Sequence, residues 1–105
     1  MELEFVNNEN FEEVVNNNSV VLIDFFATWC GPCKMLSPVL EQVNEEIGSE
    51  VKIAKLDIDS SLELAKKFNV MSVPTMILFK DGKEVDRIVG LRQKAQILEA
   101  INNIQ

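Results

Sequence analysis

Between Val20 and Ala27 every residue is apolar except Asp24. A strand with one wet face alternates apolar and polar side chains, whereas a run apolar on both alternations reads as a strand covered on both faces. Such a strand needs a packed layer above it and another below. The run therefore predicts the central strand of a sheet held between helices. Interrupted by a carboxylate, it is far too short to cross a bilayer.

The flanking patterns supply the other layers. Leu3 to Val6 reads as a short first strand. Asn10, with Glu13 three residues on, reads as a capping box. It opens a helix carrying Phe11, Val14 and Val15, which Asn16-Asn17-Asn18 stops. From Gly31 to Ile47 the spacing of Met35, Leu36, Val39, Leu40, Val43 and Ile47 predicts one broad buried face. Pro38 inside it predicts a kink, and Gly48 a stop. Val51 to Ile58 reads as another inner strand. Ser60 with Glu63 is a second capping box, opening a helix to about Phe68. Thr75 to Lys80 and Glu84 to Val89 flank Asp81-Gly82, a strong hairpin signal. Lys94 to Ile104 is a final amphipathic helix with Ile97, Leu98, Ile101 and Ile104 inward.

The order βαβαβαββα defines an α/β protein. Its alternating first half predicts parallel strands with right-handed crossovers, and its last two strands must be antiparallel. A chain of 105 residues without repeats or linkers reads as one domain, 1–105. The net charge of −7 argues against nucleic acid and anionic lipid as partners. Met1-Glu2-Leu3-Glu4 carries neither a basic nor an apolar leader segment, which leads to the expectation of a cytoplasmic protein. There is no histidine, so acid–base chemistry falls to carboxylates, lysines or thiols.

Both cysteines lie in Trp29-Cys30-Gly31-Pro32-Cys33-Lys34, between the central strand and the long helix. At a helix start, unpaired N–H groups and the positive dipole end favour a thiolate at Cys30. Cys33, three residues on, falls on the same side of the first turn. Gly31-Pro32 shapes that turn, proline suiting an early helical position because its missing N–H costs nothing there. A purely structural bridge is the plain alternative, but so short a loop contributes only about 2 kcal/mol. Zinc shared between two chains is another, although this chain brings two cysteines and no histidine to it.

Asp24 breaks the most apolar stretch of the chain. A buried carboxylate costs several kcal/mol when ionised, so its pKa should be raised. It reads either as a buried acid satisfied by a hydrogen bond or as the general base for Cys33. Lys55, on the neighbouring strand pattern, reads as a modulator of Asp24 or as a solvated lysine. Ser72-Val73-Pro74-Thr75 offers a backbone edge to which a peptide can add like a strand.

Together these residues resemble the thioredoxin family. The stretch Val21-Leu22-Ile23-Asp24-Phe25-Phe26-Ala27-Thr28-Trp29-Cys30-Gly31-Pro32-Cys33-Lys34 is similar to its signature strand and turn. Pro38, Lys55-Leu56-Asp57-Ile58-Asp59, Val73-Pro74-Thr75, Lys80-Asp81-Gly82 and Val89-Gly90 follow in the family's order, over essentially the whole chain. The resemblance implies a thioredoxin fold, a mixed five-stranded sheet in the order 1-3-2-4-5 flanked by four helices. It implies Cys30 as nucleophile, Cys33 as resolving thiol, Asp24 as proton shuttle and a cis bond before Pro74. It implies a substrate groove around Trp29, Ile58, Ser72, Val73, Pro74, Gly90 and Leu91, with Asp59 bonded to the Trp29 indole. No metal and no bound cofactor is implied, only a redox-active disulfide between Cys30 and Cys33. Two departures stand out: Phe26 where many members carry a second tryptophan, and Ser72 where a glycine is common.

The activity implied is reduction of protein disulfides by a monomer, itself re-reduced by an NADPH-dependent flavoprotein, a thioredoxin reductase. A redox-independent docking subunit that uses the apolar groove is the alternative of a different class. An oxidase or isomerase is a nearer one.

Overall fold

The computed structural model describes residues 3–105. Among them run β1 (Glu4–Phe5), α1 (Phe11–Asn17), β2 (Val20–Phe26), α2 (Gly31–Ile47), β3 (Lys52–Asp57), α3 (Leu62–Lys67), β4 (Thr75–Lys80), β5 (Lys83–Val89) and α4 (Lys94–Ile104). The strands form one sheet in the order β1-β3-β2-β4-β5. β1 and β2 both lie parallel to β3, and β4 runs antiparallel to β2 and β5. The expected mixed α/β sheet is therefore present, with the doubly apolar strand β2 at its centre.

Alternate residues of β2 feed two separate cores, as the doubly apolar pattern requires. Val20 and Leu22 pack with Ile53, Met76 and Leu78 under Leu36, Leu40 and Val43 of α2 and Ile97 and Ile101 of α4. Val21, Ile23 and Phe25 pack with Leu56, Ile77 and Phe79 under Phe11 and Val15 of α1 and Leu64 of α3. Asp24 follows Val20 and Leu22 in alternation, so it faces α2.

Several local expectations are corrected. Asn10 precedes α1 but makes no side-chain cap. Its Oδ1 accepts the Asn7 N–H at 2.8 Å, and its Nδ2 donates to the Phe5 carbonyl at 3.3 Å. A folded-back loop has claimed the side chain that the capping box needed. Ser60 likewise turns to the Asp57 carbonyl, and α3 starts one residue later, after Ser61. Met35, expected in the buried stripe of α2, is 62% exposed. Leu98 and Ile104 face inward as expected, half-buried and packed against the first core. Pro38 lies inside α2, and Gly48 caps its end, as the sequence indicated.

The hairpin follows its signal. Asp81 (φ 52°) and Gly82 (φ 84°) both occupy the left-handed region, the requirement of a two-residue type I′ turn.

Candidate active site

The chain leaves β2 at Phe26, crosses Ala27 to Trp29 and enters α2 at Gly31, which makes Cys30 the residue that caps the helix. Cys30 is extended (φ −91°, ψ 115°), and its Sγ accepts the Cys33 N–H at 3.2 Å. A serine or aspartate oxygen usually fills that position. Here a sulfur receives the orphan donor, so charge on Cys30 Sγ is stabilised by the helix end itself. Cys30 and Cys33 are joined in a disulfide with their Cα atoms 5.3 Å apart. Both are buried against Ala27, with Phe26, Ile58 and Val73 packed around them. Gly31 and Pro32 form the exposed rim of the turn.

The loop before β4 closes the site from the other side. The Val73–Pro74 bond is cis. The Val73 carbonyl oxygen lies 3.7 Å from Cys30 Sγ. Two hydrogen bonds hold this loop: Thr75 Oγ1 donates to the Ser72 carbonyl at 2.7 Å, and the Gly90 N–H donates to the Pro74 carbonyl at 2.8 Å. Gly90 has φ 95°, a conformation that favours glycine, and this lets the end of β5 turn under Pro74. Ser72 and Leu91 are exposed, while Val73 and Gly90 are half-buried. Trp29 stands 68% exposed beside the disulfide, its Nε1 donating to Asp59 Oδ2 at 3.0 Å. Of the residues expected around the disulfide, Ile58 and Val73 pack on the cysteines, Trp29 adjoins Cys30, and Gly90 is tied to Pro74, whereas Leu91 borders a separate hollow beside Met35 and Val39.

Asp24 sits beneath. It is fully buried, and neither carboxylate oxygen has a hydrogen-bond partner among the described residues. Burial pushes its pKa up to about 7, and the Lys55 ammonium on β3 pulls in the opposite direction. Lys55 pairs with Asp24 in the β2–β3 register and is half-buried, not free in solvent. A pocket of about 390 Å³ lined by Phe26, Cys33, Lys34, Ser37 and Lys55 opens on this face. Its walls are mainly apolar, with Lys34, Ser37 and Lys55 among the polar members, and it brings Lys55 and Cys33 to one opening.

Two contributors went unread in the sequence. Thr75 clips the loop through its hydroxyl, a role its place right after Pro74 hints at. Ser37 receives the Lys55 ammonium at 3.0 Å. No local signal announces it, because its partner is eighteen residues away.

A reversible pair of sulfurs at a helix start, over a sheet carrying a buried acid, defines a thiol–disulfide oxidoreductase. The chain belongs to the thioredoxin family, whose model, described as Thioredoxin, matches residues 2–103. It is 52% identical over 103 residues to a thioredoxin of Chlamydia trachomatis, covering 98% of this chain and 99% of that one. A bifunctional thioredoxin reductase/thioredoxin of Mycobacterium leprae is 49% identical over 94 residues, which is 90% of this chain and 20% of the longer protein. Among solved structures, a thioredoxin mutant from Halobacterium salinarum superposes with a TM-score of 0.90 at 39% identity, covering 97% of this chain and 89% of that one. The Cys30–Cys33 disulfide is its redox-active centre. Among the described residues, no helix is long and apolar enough to cross a membrane.

Proposed function

We propose that this chain reduces disulfides in other proteins by the following route. The Cys30 thiolate attacks a substrate sulfur. The substrate disulfide breaks, Cys30 forms a mixed disulfide, and the first substrate thiolate leaves and takes up a proton. Cys33 then passes its proton to the Asp24 carboxylate, directly or through water, and its sulfur attacks Cys30 Sγ. The mixed disulfide breaks, the second substrate thiolate leaves, and two electrons have passed from the dithiol to the substrate. The chain ends as the Cys30–Cys33 disulfide.

The observation that carries the order of attack is the helix-end hydrogen bond to Cys30 Sγ, since no such donor is directed at Cys33 Sγ among the described residues. Asp24 as shuttle is supported by its unpartnered carboxylate and raised pKa. Lys55 modulates it through charge. Pro32 and Gly31 shape the turn, and Pro74 backs the disulfide. Substrate polypeptide adds along Ser72 and Val73, with Trp29, Ile58, Gly90 and Leu91 as the apolar walls.

Electrons come from an NADPH-dependent flavoprotein reductase, a reading supported by the fusion of both activities in the Mycobacterium leprae relative. The reading extends to one domain over 1–105, acting as a monomer in the cytoplasm. Cys33→Ser should accumulate covalent complexes through Cys30 when mixed with disulfide-bearing proteins, visible as reductant-sensitive bands. Trapping by Cys30→Ser and not by Cys33→Ser would reverse the two roles. Activity that survives replacement of both cysteines would favour the docking-subunit reading.

A further inference from the structure

The Lys55 ammonium is held on three sides. Its Nζ donates to Ser37 Oγ at 3.0 Å. It lies 4.7 Å from the centroid of the Phe26 ring and 5.7 Å from that of Phe5. The two rings are 6.0 Å apart and tilted by 56°, so they form a notch that the serine hydroxyl closes. Such ring faces attract a cation. β1 sets Phe5 directly beside Lys55 in register, which accounts for an aromatic side chain left 60% exposed at the sheet edge.

Asp24 plays no part in this holding. Neither of its oxygens bonds to Lys55, and the two interact only through space. A lysine stem is flexible and its ammonium strongly hydrated, so an unrestrained Lys55 would turn outward to water. Other charged or titratable groups lie near. α2 brings Cys33 and Lys34 to one pocket beside Lys55 and Glu41 to another. On β3, Asp57 follows Lys55 on the same face, with its Oδ1 already accepting the Asp59 N–H at 2.9 Å. β1 and β4 set uncharged Phe5 and Met76 against Lys55 and Asp24. Glu41 lines the same pocket as Phe5, Ser37 and Lys55, so it and water are the alternative partners open to the ammonium.

We propose that Ser37 is a positioning residue for the exchange reaction: with Phe5 and Phe26 it fixes the Lys55 ammonium beside Asp24 and so sets the pH at which Asp24 takes the Cys33 proton. This rests on the reading of Asp24 as the proton shuttle. Without the Ser37 hydroxyl, Lys55 swings toward Glu41 and solvent, and the Asp24 carboxyl holds its proton more tightly.

The test follows the Asp24 carboxyl carbon by NMR across pH in the oxidised protein, where neither thiol titrates. Ser37→Ala should move the inflection upward by about half a pH unit. Lys55→Met should move it further, and the double variant no further than Lys55→Met alone. Ser37→Thr should restore the original position. In the reduced protein, Ser37→Ala should resolve a preformed mixed disulfide roughly twofold more slowly at neutral pH. An inflection in Ser37→Ala that stays put or falls, or effects of Ser37→Ala and Lys55→Met that add, would overturn the cradle. Asp24→Asn separates the two ideas. If it resolves the mixed disulfide at the parent rate, the shuttle reading falls and the proposal with it. If it slows resolution while Ser37→Ala leaves the inflection unmoved, the cradle alone falls.

Discussion

A carboxyl group with no hydrogen-bond partner, in the central strand of the sheet, favours its neutral form. In the unfolded chain Asp24 titrates near 3.8, and in the folded chain at about 7. Between those values the native state binds the extra proton, so stability falls as pH rises through this window and levels off above it. The difference of roughly three units corresponds to about 4 kcal/mol of destabilisation fully present at pH 8 and absent near pH 4. Asp24→Asn keeps the shape and the polarity but cannot ionise. We expect it to raise the unfolding free energy of the oxidised protein by several kcal/mol at pH 8 and by little at pH 4, as read by denaturant titration at both. Equal gains at the two pH values would mean that ionisation is not the source. Cys30 and Asp24 were legible at this scale because each departs from its surroundings: a reactive thiol at a helix start, a charge in an apolar run. Asn10 and Ser60 misled because Asn7 and Asp57 compete for them through local turns that periodicity does not register.

At the scale of elements, the order and type of strands and helices follow from periodicity, and the ends follow from turn chemistry. The β4–β5 turn shows how strict that chemistry is. Gly82 holds φ 84°, and a Cβ there would stand 2.6 Å from Asn16 Oδ1. The asparagine side chain can yield, but the backbone conformation cannot be relieved so easily. Gly82→Ala should lower stability by about 1–2 kcal/mol, seen as a lower urea midpoint with an unchanged slope. An unchanged midpoint would show that the turn relaxes to another type at no cost. α2 illustrates the limit of the same reasoning. Spacing placed Leu36, Leu40 and Val43 inside, where they are, but the buried stripe is narrower than the broad face it predicted. Met35 falls outside because α2 leans on α4 and the sheet through a narrower face, leaving it beside Leu91 at the surface.

For the whole molecule, charge shapes the encounter with substrates. The net charge of −7 repels acidic partners and attracts basic ones, an effect that salt screens. Reduction of a disulfide peptide with basic flanks should therefore slow as ionic strength rises, and that of its acidic counterpart should speed up, in stopped-flow measurements. Parallel responses would place the recognition in the apolar groove alone. The amino-acid sequence by itself determined the strand and helix order, the doubly covered strand, the dithiol at a helix start and the acid in the core. These depend on neighbours a few residues apart, where propensity and periodicity act. Only the tertiary structure decided the register, which sets Lys55 against both Asp24 and Phe5, and that the Val73 carbonyl meets Cys30 across 43 residues of chain. Those meetings depend on register and on packing two layers against one sheet, and no short window of sequence carries either.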